Sequence, residues 1–558
     1  MDSVLSVIGS VLIVTLFACL FCAIGKEILD KTGETAAHRC FTFAASYFTG
    51  MAVYLSALRT LTLAIPYKIA FWVLLVVAVL YAVLKRRRVY LKRITENAVL
   101  IAVMAGIWIA HTFHALLYRL TDVSRELTPY DGIGTIGSLR YAGIADYFIG
   151  RNRIPVLNQS YGQSLLASFS GLLGSRNLCF ALTLWLALSG AFLCLLLYGV
   201  FRKYFSVWLS TSLTCVVHMG SVSLTFAPIR VVDSDYPLIS SGYTDSVVGV
   251  ATLFIYLWLL VQLLRDNRKV GFPHCLLTVC FVLYWAMSAP HNICILLGTG
   301  AFLILFLLFG KDYISAGKGV KLGGVILAAC LLGIFEGGML TPSGLAEEIP
   351  VEGVMTVAGV DEEKPSEGIA IVPVMNYQLS REPGVLWGLA QNTPYMKETL
   401  DCAVRAFQNS EWYVLLYCLT ALWWDSVRII FWPLLGVLGI MMASYWHKES
   451  KETGYWAVMG FSSLAIGYPI AFFISLNAYK WALSRFAMPF YFLGMLFLAV
   501  ILGRGWKSGK GLYRLASLCS VFFILSGQVL DKILIFYGNC ANNDIWSLMK
   551  GMVLLAGS

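Results

Sequence analysis

Residues able to do chemistry gather in one stretch of the chain, RLTDVSRELTPYDGIGTIGSLRYAGIADYFIGRNRIPVLNQSYGQ, from Arg119 to Gln163. It sets Asp122, Glu126, Asp131 and Asp146 among Arg119, Arg125, Arg140, Arg151 and Arg153, with Tyr130, Tyr141, Tyr147 and Tyr161 interspersed. The apolar run before it carries His111 and His114, three residues apart and so on one helix face. Acids at the mouth of a helix bundle, near histidines and tyrosines, suit general-base work or a divalent cation such as Mg or Mn. Asp131 is the first choice for the base. It sits in the turn sequence Pro-Tyr-Asp-Gly, which presents its side chain, and glycines follow at 132, 134 and 137. Asp122 and Glu126 come next; four apart, they share a helix face if the preceding helix continues, and could share a proton or a cation. The plain alternative is a hydrated loop whose charges pair with one another.

The elements that must position these residues are membrane spans. Of 558 residues, 59% are hydrophobic and 13% charged, and the mean hydropathy is +0.75. A soluble chain carries about 25% charged residues, so soluble, disordered and fibrous classes are excluded. Apolar runs fall at about 4–24, 42–64, 67–84, 97–118, 178–200, 205–226, 244–264, 272–289, 291–310, 321–340, 426–446, 456–477, 484–503 and 512–536. At roughly 20 residues per span the expectation is an all-α polytopic membrane protein with about 14 transmembrane helices, within a range of 12–14. The first run lacks a basic start and reads as a retained span, not a cleaved leader.

The net charge of +10 comes from 41 basic against 31 acidic residues. More than half of the basic residues fall in short loops on one side, led by Lys85, Arg86, Arg87, Arg88, Lys92 and Arg93. The positive-inside rule puts that side in the cytoplasm and accounts for the excess without a nucleic-acid partner. The fourteen cysteines lie mostly in apolar runs as packing residues, with no spacing that suggests zinc.

Two long polar segments, 119–177 and 341–411, then lie outside. The chain reads as an N-terminal transmembrane module, 1–340, whose loop 119–177 is the candidate catalytic loop; an extracytoplasmic insert, 341–411; and a C-terminal transmembrane module, 412–558. The insert holds eleven acids against four bases. Within the first loop, Ser160–Gly174 sets Leu165, Leu166, Phe169, Leu172 and Leu173 against Ser164, Ser168 and Ser170. That amphipathic pattern predicts an interfacial helix along the outer leaflet, which suits a substrate that is itself a lipid with a polar head.

Several short motifs resemble the GT-C superfamily of integral-membrane glycosyltransferases. They are the pattern Tyr141…Ala145-Asp146-Tyr147-Phe148…Asn152-Arg153-Ile154-Pro155…Tyr161-Gly162, the element Ser241-Gly242-Tyr243-Thr244-Asp245, the hairpin Ser288-Ala289-Pro290-His291-Asn292, and Ser484-Arg485-Phe486-Ala487-Met488-Pro489. The resemblance implies a GT-C-like fold and a polyprenyl-phosphate sugar donor. The acceptor is a lipid, a glycan or a protein, and the active face of a bacterial inner membrane looks away from the cytoplasm. It leaves the base open among Asp131, Asp122 and Glu126. For the lipid phosphate it points to Arg485, then Lys480, with Arg140 and Arg230 as further candidates. Asp245 would bind a sugar hydroxyl, orient the base or only cap its helix, and Tyr130 and His291 complete the substrate-binding set. Members place the acidic loop after the first span, whereas four runs precede it here.

Two other readings fit the span count: a transporter or flippase for a lipid-linked or anionic solute, and an O-antigen polymerase or ligase. Ionisable residues collected at one face argue against the first, because transport sites usually lie near the midplane. The acidic character of the late loop argues against the second.

Overall fold

A computed structural model describes residues 2–32, 38–84, 133–155, 161–175, 178–223, 244–265, 271–288 and 316–336, with scattered positions in 292–296, 404–415 and 496–519. The described residues are helical throughout and contain no strand. Ten helices follow in order: α1 (Asp2–Thr32), α2 (Arg39–Thr62), α3 (Tyr67–Leu84), α4 (Ile133–Arg151), α5 (Gly162–Leu172), α6 (Leu178–Arg202), α7 (Val207–Ser223), α8 (Thr244–Arg265), α9 (Phe272–Ser288) and α10 (Ala316–Glu336).

Among the described residues four stretches are long and apolar enough to cross a bilayer: Ile8–Thr32, Arg39–Thr62, Tyr67–Leu84 and Phe180–Arg202. Val247–Leu263, Phe272–Ser288 and Lys321–Gly333 are shorter apolar helices. Together they make a helical membrane protein, and each coincides with an apolar run read from the sequence. The runs 97–118, 426–446 and 456–477 lie outside the described residues, as does all but a few positions of 291–310 and of the last two runs.

Lipid is as apolar as leucine, so helices in a bilayer associate through close packing and not through exclusion of water. Glycines make that approach possible. A Cβ on Gly50 would stand 1.8 Å from the Phe21 carbonyl oxygen, and one on Gly25 would stand 1.9 Å from that of Ser46, so α1 and α2 touch backbone to backbone. Gly199 of α6 does the same against the Phe41 backbone of α2. Stacked rings fill the spaces between: Phe17 on Phe169 at 4.6 Å, Tyr47 on Phe192 at 4.0 Å, and Phe41 against Trp258 at 4.7 Å. Among the described residues α3 leaves Trp72, Val76, Leu80 and Leu84 exposed, the arrangement of a helix that faces lipid.

The order of these contacts fixes which helix ends meet. Phe17 lies by Tyr54, and Gly25 by Ser46; Tyr47 lies by Ser189, and Phe41 by Trp258. So α2 runs antiparallel to α1 and α6. Its Ser56 hydroxyl donates to the Cys280 carbonyl in the middle of α9, and the Met287 carbonyl near the end of α9 accepts from Tyr161 N–H.

Two expectations for the first outer segment change. Residues 133–151 form helix α4, so Gly134 and Gly137 lie within a helix and not in a loop. Helix α5 forms where an interfacial helix was expected, but it does not lie along a surface. Every residue from Gly162 to Ser170 is buried, on the serine face as well as the leucine face. On the serine side only Ser168 has a hydroxyl partner among the described residues; the Ser164 and Ser170 hydroxyls are buried without one. The Tyr67 hydroxyl bonds that of Ser168, Ser168 donates to the Leu165 carbonyl, and the Trp185 indole donates to the Leu166 carbonyl at 3.1 Å.

Candidate functional site

Three of the four sequence motifs meet at one end of the bundle, and the fourth, 484–489, lies outside the described residues. Helix α4 ends at Arg151, and Asn152 follows in the left-handed region with φ 55°. That turn lets Asn152 cap another helix: its backbone carbonyl accepts from Tyr67 N–H at 3.0 Å, and its Oδ1 from Lys68 N–H at 2.7 Å. Two residues on, the Ile154 carbonyl accepts from Arg59 Nη1 at 2.8 Å. The Tyr161 N–H then donates to the Met287 carbonyl at 2.8 Å, tying the start of α5 to the end of α9.

Tyr161 precedes α5 without offering a side-chain cap. The cap comes from a distant part of the chain. Asp245, in the first turn of α8, is 3% exposed and lies against Gly162. A Cβ on Gly162 would stand 2.7 Å from Asp245 Oδ1 and 2.8 Å from Ser288 Cβ, so only glycine admits this meeting of α5, α8 and α9. The Gln163 backbone N–H faces the carboxylate, and the positive end of the α5 dipole lies behind it. Neither carboxylate oxygen has a hydrogen bond of normal geometry among the described residues. Asp245 therefore does not serve only its own helix; it is a buried acceptor set on the N-terminus of another.

Further polar groups line the same region. Ser288 Oγ donates to the Tyr284 carbonyl at 2.6 Å, and Asn292 Nδ2 donates to the Gly249 carbonyl, one turn beyond Asp245, at 2.9 Å. Asn292 Oδ1 is buried with no partner among the described residues. Arg59 is 2% exposed, and its guanidinium carbon lies 6.0 Å from the Tyr161 ring centroid. A buried carboxylate, a buried guanidinium and amide and hydroxyl groups around one helix start can bind a ligand that carries both hydroxyls and an anionic group.

Asp245 is the one expected site residue whose side chain is described, and it stands where the sequence put it, at the opening of a span. Arg140 falls on α4, its side chain outside those described. Asp131, Asp122, Glu126, Tyr130, Arg230, His291, Lys480 and Arg485 lie outside the described residues, as do His111 and His114. Asp146 is exposed on α4, where partial desolvation raises its carboxyl above the ordinary aspartate value. Among the described residues no three His, Cys, Asp or Glu side chains gather to hold a metal.

Arg59, Asn152 and Gly162 are not among the candidate site residues read from the sequence, where Asn152 and Gly162 stand only as members of a motif. The signal for Gly162 was its place in Tyr161-Gly162, directly before a helix that lacks a capping side chain. Comparison with protein-family models, with curated proteins and with solved structures returned no match.

Proposed function

We propose that the chain is a membrane glycosyltransferase that moves a sugar from a polyprenyl-phosphate donor to a lipid, glycan or protein acceptor. The observation that carries this reading is the meeting of Gly162, Asp245 and Ser288, because three GT-C-like motifs far apart in the chain supply one residue each. In the reaction the acceptor oxygen attacks the anomeric carbon and the bond from that carbon to the phosphate oxygen breaks. The acceptor proton passes to a carboxylate, and the lipid phosphate leaves. Asp131 is the first choice for that base, with Asp122 and Glu126 behind it. Asp245 acts as the fixed acceptor that orients a sugar hydroxyl, held still by α5.

The test is sugar transfer by the purified protein from a polyprenyl-phosphate sugar in detergent. Asp131→Asn, Asp122→Asn, Glu126→Gln and Asp245→Asn are assayed beside the wild type. At least one of the first three must lose activity, and full activity in all three rejects the loop base. A second reading, a carrier for a lipid-linked or anionic solute, draws support from Arg59 and Asp245, both buried among apolar helices. Movement of the donor lipid across liposomes without transfer of sugar decides for it.

A further inference from the structure

Arg59 poses a problem that the capping and packing contacts do not solve. It lies in the last turn of α2, is 2% exposed, and among the described residues meets no carboxylate. Among the described residues its one acceptor is the Ile154 carbonyl, on Nη1, and Nε is buried without a partner. A guanidinium carries five N–H donors in a rigid fork made for two-oxygen acceptors. Holding one in a dry site on a single carbonyl is unfavourable unless an anion joins it.

The surroundings say what kind of anion. Tyr161 places its ring beside the guanidinium, and the α5 N-terminus that follows adds a second source of positive potential. Asp245 occupies the Gly162 side of that turn, while Arg59 approaches from the Tyr161 side with Nε unpartnered among the described residues. A planar carboxylate would satisfy the fork alone. An oxyanion whose neighbouring carbons bear hydroxyls also satisfies Asp245, which accepts from them. A sugar phosphate meets both demands, and the phosphate of any ester meets that of Arg59.

We infer that Arg59 is the cationic anchor of a phosphate-binding site at the α2–α5 contact. The site takes the phosphate of a lipid or of a free phosphate compound through a forked pair of N–H donors. The inference does not depend on sugar transfer, since a carrier of the same ligand would need the same anchor.

The experiment uses the full chain purified in a maltoside detergent without phospholipid, and follows the thermal unfolding midpoint against added ligand. The probes are a long-chain polyprenyl monophosphate and inorganic phosphate, with the uncharged polyprenol as reference. The wild type is expected to gain a saturable stabilisation from at least one phosphate probe and none from the polyprenol. Stabilisation by the polyprenyl monophosphate alone assigns the site to a lipid, and stabilisation by both assigns it to phosphate in general.

Arg59→Gln should weaken the apparent affinity about tenfold or more. Arg59→Lys, which keeps the charge but not the fork, should fall between them with its ligand-free midpoint near that of the wild type. If Arg59→Gln fails to fold, the lysine variant decides, and wild-type affinity there overturns the proposal. So does a wild type that answers to neither phosphate probe, or an Arg59→Gln protein that binds as the wild type does. Arg59-dependent binding without sugar transfer leaves this site standing and removes the glycosyltransferase reading.

Discussion

Gly162 and Asp245 show how much a single atom decides at the residue scale. The α5 N-terminus is open to a carboxylate only because residue 162 has no side chain. Gly162→Ala pushes a methyl into Asp245 and Ser288, and overpacking of this kind costs about 1–3 kcal/mol. The expected outcome is a lower unfolding midpoint together with lost transfer. Asp245→Asn keeps the shape and replaces the carboxyl with a neutral amide. Replacing a buried carboxyl whose oxygens have no hydrogen bond of normal geometry among the described residues should leave the midpoint unchanged or raise it. The same change should reduce transfer about 100-fold, the scale of loss when a positioning contact goes. Opposite movements of stability and activity mark a group kept for function. Sequence alone left Asp245 open between ligand contact and cap of its own helix. Those readings differ in where the carboxylate points, and that depends on a glycine 83 positions earlier in the chain.

Helices α1, α2 and α6 show at the element scale why a membrane bundle is partly legible from sequence. Apolar length alone located them, because a span must hold its backbone hydrogen bonds within itself. The glycines that let them touch were visible only as glycines. Gly50→Ala sets a Cβ against the Phe21 carbonyl with no flexible side chain to yield. It should therefore lower the unfolding midpoint more than alanine at Gly9 of α1, where nothing lies within 4 Å. Helix α5 was legible in position and illegible in setting. A stripe of serines reads equally as a face toward water or as a face toward other hydroxyls, and the partners Tyr67 and Trp185 lie on other helices. Tyr67→Phe, which removes the hydroxyl bonded to Ser168, should cost about 0.5–1.5 kcal/mol in thermal or denaturant unfolding.

The whole molecule is a helical membrane protein whose ends differ in chemistry. Arg59, Asn152, Tyr161, Asp245 and Ser288 gather at one end, the end to which the candidate catalytic loop connects. Charge bias in the short loops predicts that this end faces away from the cytoplasm. Ser366→Cys, in the acidic insert, should react with a membrane-impermeant maleimide on intact cells. Ser508→Cys, in the late basic loop, should react only after permeabilisation. Each is read as labelling above that of the unmodified protein, and the reverse pattern inverts the topology and moves the site to the cytoplasmic side.

The account rests on the Asp245 end of the bundle being a sugar-transfer site, and one assay reaches it directly. Wild-type and Asp245→Asn proteins, matched in unfolding midpoint, are given a radiolabelled polyprenyl-phosphate sugar and a membrane extract as the source of acceptor. The prediction is label moved to acceptor by the wild type and about 100-fold less by the variant. Equal transfer by the two proteins, or no transfer by the wild type while it carries the donor lipid across liposomes, contradicts it.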